Sequence, residues 1–490
     1  MEKFGEGFSE ALKSTAFRTL IKNEALKRFN KDTDVLYQSI KDLPINGNMQ
    51  YRTASTNSSA STLHSFLIPF FASEQELNDF ENKMPLLTIY VPDLPENYFS
   101  AETWDVNDPN QIPDVALRLD NITYIPVIGR DDDNYLIAPE DVPSWAIVVL
   151  KDNERVVDDS NAAYSTLDTR ILSTNQSGDK VRFLDNNFDP IFQPFGVNDV
   201  FPTATNTFIP QHLKDAFNAL NPSDNTSWHR DFTYYNLTKS NQESPLSGGK
   251  YREFVSTFRL VDLNAQSAYN NVADGFNDAR RDPMLRDTWQ RRANGVSAWT
   301  DGSFEFAIKT FQGRKNSNLG LTINNGFGAM PDELFVIEWD QRVTGKAWWR
   351  RYWLRPRITD TKTKNLLRQC ELSTWDLFNA SNEWKFTFEE VDAASTTTLE
   401  QNTETKFNAN LEISGEYKKI GFKFGAKLET TKENKFKYVF NEGSDDLKDK
   451  DIHFRDNSII QLKNSSTNFI LRKYSTGRVE FSLVPLQVQN

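Results

Sequence analysis

Apolar and polar positions alternate with a period of two across Thr396–Phe440, for longer than anywhere else in the chain. From Thr397 the odd positions run Thr397, Leu399, Gln401, Thr403, Thr405, Phe407, Ala409, Leu411 and Ile413, and the even positions between them are mostly Glu, Asn and Lys. Successive strand side chains point to opposite faces, so the pattern predicts a strand several times longer than the usual ~5–6 residues. The polar run Ser414–Lys419 predicts a turn. Ile420, Phe422, Phe424, Ala426, Leu428 and Thr430 then restart the alternation. The expectation is a long antiparallel hairpin, 396–440, with one greasy, Thr-rich face and one charged face.

The rest of the chain divides into stretches of different period. In 1–50 the apolar residues Phe8, Leu12, Phe17, Leu20, Ile21, Ala25 and Phe29 recur mostly at three- to five-residue steps, which predicts a helical N-terminal segment docked on its own domain. Residues 53–62 are nearly all Ser, Thr, Ala and Asn and read as a linker. In 63–240, short β-rich runs (Pro85–Pro92, Val115–Leu119, Tyr124–Ile128, Trp145–Leu150) sit between prolines that forbid long regular elements. In 241–375 a helix over Leu263–Arg281 is expected beside strands at Phe304–Lys309, Leu319–Ile323 and Glu333–Trp339. In 376–490 the hairpin precedes strands at Ile459–Leu462, Asn468–Arg472 and Arg478–Pro485. The fold class is therefore mainly β, α+β overall: a small helical N-terminus followed by several antiparallel β-sandwich-like domains.

Composition narrows the function classes. The 490 residues carry a formal charge of −12, which argues against a nucleic-acid partner. A mean hydropathy of −0.61 is polar, yet 36 Phe, 15 Tyr and 11 Trp supply large units of burial. Cys370 stands alone, so no disulfide forms within the chain, and no apolar run approaches the ~20 residues of a membrane helix. Met1-Glu2-Lys3-Phe4 lacks the layout of a signal peptide, leaving a cytoplasmic chain or a mature chain with an added Met.

Catalytic signals are weak. His64, His212, His229 and His453 are scattered without metal-ligand spacing, and no nucleophile elbow, phosphate loop or dinucleotide fingerprint occurs. The chain reads as non-enzymatic, with no certain cofactor. Two patches invite binding roles. Asp131, Asp132 and Asp133 put three carboxylates in one loop, hard oxygen ligands of the kind Ca2+ takes, although a solvated turn uses the same residues. Trp348–Arg357 packs indoles among guanidinium groups; on a strand, Trp349, Arg351, Trp353 and Arg355 share one face, suited to a receptor or lipid headgroup or to an internal cation–π ladder.

The hairpin has its own two readings. A transmembrane β-strand needs about 9–11 residues with an outward apolar row, and Leu399, Phe407, Leu411 and Ile413 with Ile420, Phe422, Phe424 and Leu428 supply one. Gln401, Thr403 and Thr405 interrupt that row, as they would on a hairpin covering a soluble core. Insertion would also require a closed barrel from several chains, hence a homo-oligomer.

Trp384-Lys-Phe-Thr-Phe-Glu-Glu390, the Thr-rich run, Lys419–Gly425 and Thr430-Thr431 resemble the C-terminal part of uncharacterised secreted or surface proteins of Bacteroidetes. Ala16–Phe29 with Asp34–Tyr37, and Ile147–Arg155, extend the likeness to three separated regions. The resemblance implies a secreted or cell-surface mature chain and no particular activity. The Thr-rich hairpin alone also resembles aerolysin-type pore-forming proteins, which implies a mechanism. Two functions are thus expected: a secreted, toxin-like, membrane-active protein acting on lipid or a surface receptor, or a bacterial surface or adhesive protein with calcium-stabilised C2-like or sandwich domains.

Overall fold

A computed structural model describes residues 1–30, 32–45, 49–52, 57–60, 62–119, 124–131, 133–138, 141–153, 156–158, 173–174, 180–183, 209–220, 228–240, 250–273, 283–285, 296–297, 299–300, 304–314, 319–344, 351–376, 380–390, 403–406, 413–416, 432–434, 445–454, 456–462 and 468–488. The chain forms two compact units. One gathers Met1–Phe192, Ala273–Phe304 and Ile337–Thr359; the other gathers Gln193–Val272, Glu305–Val336 and Asp360–Asn490. These units differ from the four consecutive stretches 1–50, 63–240, 241–375 and 376–490, because pairing between distant strands crosses boundaries that composition suggests.

In the first unit, helices α1 (Glu2–Ala11) and α2 (Thr15–Ala25) bury the stripe containing Phe4, Phe8, Leu12, Phe17 and Ile21. Ser14 separates them and caps α2 by accepting from the Phe17 N–H. A third helix, α3 (Glu74–Lys83), starts at Ser73, whose hydroxyl accepts from the Glu76 N–H. The sheet comprises β1 (Asp34–Leu36), β2 (Leu87–Tyr90), β3 (Asp114–Leu117), β4 (Ile125–Ile128), β5 (Tyr135–Ile137) and β6 (Ile147–Asp152), in the order β1-β2-β6-β3-β4-β5. Its pairings are antiparallel except for parallel β3 and β6. Gly5 lets α1 lie close on this sheet: a Cβ there would stand 2.7 Å from Ile128 and 2.9 Å from Leu117 side-chain carbons.

In the second unit, α4 (Gln211–Ala219) and α5 (His229–Tyr234) accompany two sheets. Strands β7 (Tyr251–Leu260), β8 (Phe304–Arg314), β9 (Leu319–Ala329), β10 (Lys364–Glu371), β11 (Ala380–Glu390), β12 (Thr403–Lys406), β13 (Ile413–Glu416), β14 (Lys432–Asn434), β15 (Asp445–His453), β16 (Lys473–Ser475) and β17 (Val479–Gln487) follow in chain order. The four-stranded sheet runs β10-β7-β17-β16 and the five-stranded sheet β12-β9-β8-β11-β15. Aromatic rings join their facing sides: Phe258 of β7 meets Phe306 of β8 at 4.7 Å and Phe327 of β9 at 5.0 Å, and Phe481 of β17 meets Phe388 of β11 at 4.6 Å. This is a β-sandwich with a phenylalanine core. The protein as a whole is mainly β with α+β character.

Candidate functional site

The alternating segment departs from the five-stranded sheet between neighbours. β11 and β15 pair antiparallel from Glu383↔His453 to Glu390↔Asp445, so the two residues that flank 391–444 stand directly opposite each other. The paired strands form a stem. Trp384, Phe386 and Phe388 are buried along β11, and Leu447 and Ile452 along β15. A bulge opposite Phe388 is accommodated by Lys448 in the left-handed region, φ 70°. At the end of the stem the Lys309 ammonium donates to Glu389 at 2.7 Å.

Within the excursion, β12 does not continue the stem. It crosses to the far edge of the sheet and pairs with β9, Leu319↔Lys406 through Thr322↔Thr403. Beyond it, β13 pairs with β14, setting Ile413 opposite Asn434 and Glu416 opposite Lys432. The expected turn at Ser414–Lys419 is therefore corrected: its first residues belong to a strand. The physical reason is that a Thr- and Asn-rich alternation fixes which residues share a face but only weakly fixes register. Ile413 lies in β13, while Leu399, Phe407, Leu411, Ile420, Phe422, Phe424 and Leu428 lie outside the described residues.

The stem rests on a buried charge centre that the sequence does not advertise. Every residue of α5 is buried. The Arg230 guanidinium donates to both oxygens of Glu253 in β7, at 2.7 and 3.2 Å, with both side chains 0 % exposed. It also donates to the Asp456 carbonyl at 2.7 Å and stacks 4.5 Å from the Phe454 ring, which lies 4.3 Å from Trp384 of the stem. The Tyr234 hydroxyl donates to Glu253 at 3.2 Å. Burial would release the Arg230 proton, but Glu253 and nearby hydroxyls hold its basicity above the ordinary value. Burial alone raises the Asp231 carboxyl well above its usual range; that carboxyl accepts from the Trp228 N–H at 2.7 Å.

His229 is buried between the Leu213 carbonyl, 2.9 Å from Nε2, and the Ser458 N–H, 3.3 Å from Nδ1. That places the proton on Nε2 and the lone pair on Nδ1. Burial pushes its pKa down to about 4, with the Arg230 charge adding to the effect. None of Arg230, Glu253 and His229 is open to a reactant, so the centre fixes structure.

The other sequence candidates lie in the first unit. Trp353 is buried in the strand Arg351–Thr361, its ring 5.1 Å from Trp145. Arg355 is buried too and donates to Asp141 at 2.9 Å. Of the two readings, the open receptor or headgroup face is thus contradicted for both, since alternation says which residues share a face and not which way it turns. Arg351 begins the strand, and Trp349 lies outside the described residues. Asp131 is 85 % exposed and 3.9 Å from Arg130, Asp133 is exposed, and Asp132 lies outside the described residues. Among the described residues, no three His, Cys, Asp or Glu gather as a metal site.

One grouping escapes sequence reading. Glu81 of α3 accepts from Tyr37 at 2.6 Å and Lys41 at 2.7 Å, and its Oε1 lies 2.8 Å from His64 Nδ1. Burial opposes ionisation of Glu81, but these three donors outweigh it and leave the carboxyl below its ordinary pKa. Burial, with the adjacent carboxylate, raises Tyr37. No family model, curated protein or solved structure matches the chain.

Proposed function

We propose that this is a toxin-like, membrane-active protein, secreted or surface-exposed, whose excursion 391–444 inserts into a bilayer as a β-hairpin. One observation supports this above the rest: Glu390 and Asp445 are direct partners, so the alternating segment begins and ends at one point of a sheet with an aromatic anchor. Such a segment can extend without disturbing the core that carries it. Its Thr, Asn and Glu content keeps it compatible with water before insertion, and the even residues would face an aqueous lumen. In lipid both edges of a two-stranded hairpin need partners, so the inserted form is a homo-oligomeric barrel. Among the described residues no helix is long and apolar enough to cross a membrane.

The test is dye release from phosphatidylcholine/phosphatidylserine vesicles, comparing the full chain with a variant in which Asn-Gly replaces 391–444. A two-residue turn can join Glu390 to Asp445 because they already face each other. The full chain should release dye, and the shortened chain should melt normally but release none. Silence from the full chain, or equal release from both, defeats the reading.

A further inference from the structure

The excursion has two incompatible registers available to it. In the stem, Glu389 pairs with Asp446 and Glu390 with Asp445. Counting onward in that register brings the two arms together at Tyr417–Lys418, inside the polar run that the alternation marks as a turn. The same count would set Phe407 opposite Leu428, Leu411 opposite Phe424 and Ile413 opposite Phe422. On the other face it would set Lys406 opposite Glu429, Glu412 opposite Lys423 and Glu416 opposite Lys419. Apolar residues meet apolar ones and each of these cations meets a carboxylate, as cross-strand pairing favours. The apolar row would cover about nine residues of each arm, within the ~9–11 that a bilayer-crossing strand needs.

The pairing in the structure is different. β13 and β14 put Ile413 against Asn434, and β12 occupies the β9 edge. A continued stem would carry Thr403 roughly 40 Å beyond Glu390 at ~3.3 Å per residue. Docked on β9, Thr403 belongs to a strand only about 14 Å to the side of β11, across three ~4.8 Å spacings. Thr403–Lys406 cannot occupy both places. We propose that the β12–β9 pairing is a latch that holds β13 and β14 in a shifted register, and that its release lets the β11/β15 ladder run on to a tip at Tyr417–Lys418. The latch is Thr-Glu-Thr-Lys, a sequence without an apolar residue, and it pairs with β9 along its backbone. Its consequence for lipid rests on the membrane-active reading; the register change does not.

Two disulfide locks test the latch in the full chain: Gly320→Cys with Thr405→Cys, and Leu321→Cys with Glu404→Cys. Adjacent register positions are used because one of the two has the closer, non-hydrogen-bonded geometry. The lock that closes should slow dye release from phosphatidylserine-containing vesicles at least tenfold, with recovery in dithiothreitol. A second readout follows register: Asn408→Cys with Lys427→Cys should cross-link within one chain on vesicles but not in buffer, and Ile413→Cys with Asn434→Cys the reverse. Undiminished release from a closed lock overturns the latch and leaves membrane action standing. If the unlocked chain releases nothing, the membrane reading falls instead, and the two register pairs are compared in buffer and detergent micelles. Identical cross-links in both then overturn the register change.

Discussion

At one edge of the five-stranded sheet β15 buries Leu447 and Ile452 and pairs along β11 from Glu383 to Glu390; at the other, β12 meets β9 through four residues that are all polar. Both edges use the same backbone ladder. They differ in what stands behind it. Behind β11 a chain of contacts runs from Trp384 through Phe454 to the Arg230–Glu253 pair, whereas β12 brings only Thr, Glu and Lys. Hydrogen bonds exchanged with water contribute about 0.5–1.5 kcal/mol each, while a buried aromatic side chain contributes several times that. One sheet thus carries a permanent edge and a removable one.

The comparison breaks first if the anchor proves dispensable. Arg230→Ala leaves Glu253 buried without its counter-charge and should cost about 3–5 kcal/mol of stability. Denaturant unfolding followed by tryptophan fluorescence measures it, and Arg230→Met with Glu253→Leu should recover most of the loss. Trp384→Ala should cost about 3–5 kcal/mol through its cavity. A loss below about 1 kcal/mol in both single variants would mean that the stem is not anchored there.

Acid should act on the same anchor. Burial lowers His229 from 6.5 to about 4, so the unfolded chain takes up a proton below pH 6.5 that the folded chain refuses. The stability tied to neutral His229 is complete above that pH and is lost as pH falls towards 4, reaching about 3 kcal/mol at ~1.36 kcal/mol per unit. Unfolding curves at pH 7, 5.5 and 4 should therefore converge for wild type and His229→Gln as pH drops. Parallel curves would contradict the assignment.

The removable edge should show the smallest stability effect. Thr403→Ala with Thr405→Ala should change unfolding free energy by less than about 0.5 kcal/mol, yet hasten the onset of dye release. A large stability loss there would erase the difference between the two edges.

Much of this fold is legible in the sequence because period marks elements. Trp145–Leu150 and Arg478–Pro485 read as strands and form β6 and β17. The N-terminal stripe from Phe8 to Ala25 became the buried face of α1 and α2. The start of α3 is also spelled out: Ser73-Glu-Gln-Glu76 is a capping-box sequence, and the Ser73 half of the box is made. The charged centres are not readable, since Arg230 and Glu253 stand 23 residues apart in sequence and His64 and Glu81 stand 17 apart, on separate elements that only the fold brings together. The direction of a strand face is equally hidden, which is why Trp353 and Arg355 suit either a surface or an internal ladder in sequence and lie inside in the fold. Hairpin register is the deepest case. The alternation names the partners that suit one another, and the folded chain places Ile413 against Asn434 instead.

Insertion of the excursion is tested most directly by an environment-sensitive fluorophore placed singly on Asn408, Ala409, Asn410, Leu411, Glu412 and Ile413 through cysteine substitutions, on vesicles. Insertion as a β-hairpin should give alternation: labels at 409, 411 and 413 are quenched from the lipid phase, and labels at 408, 410 and 412 by a water-soluble quencher. Uniform access by the water-soluble quencher at all six positions would contradict it.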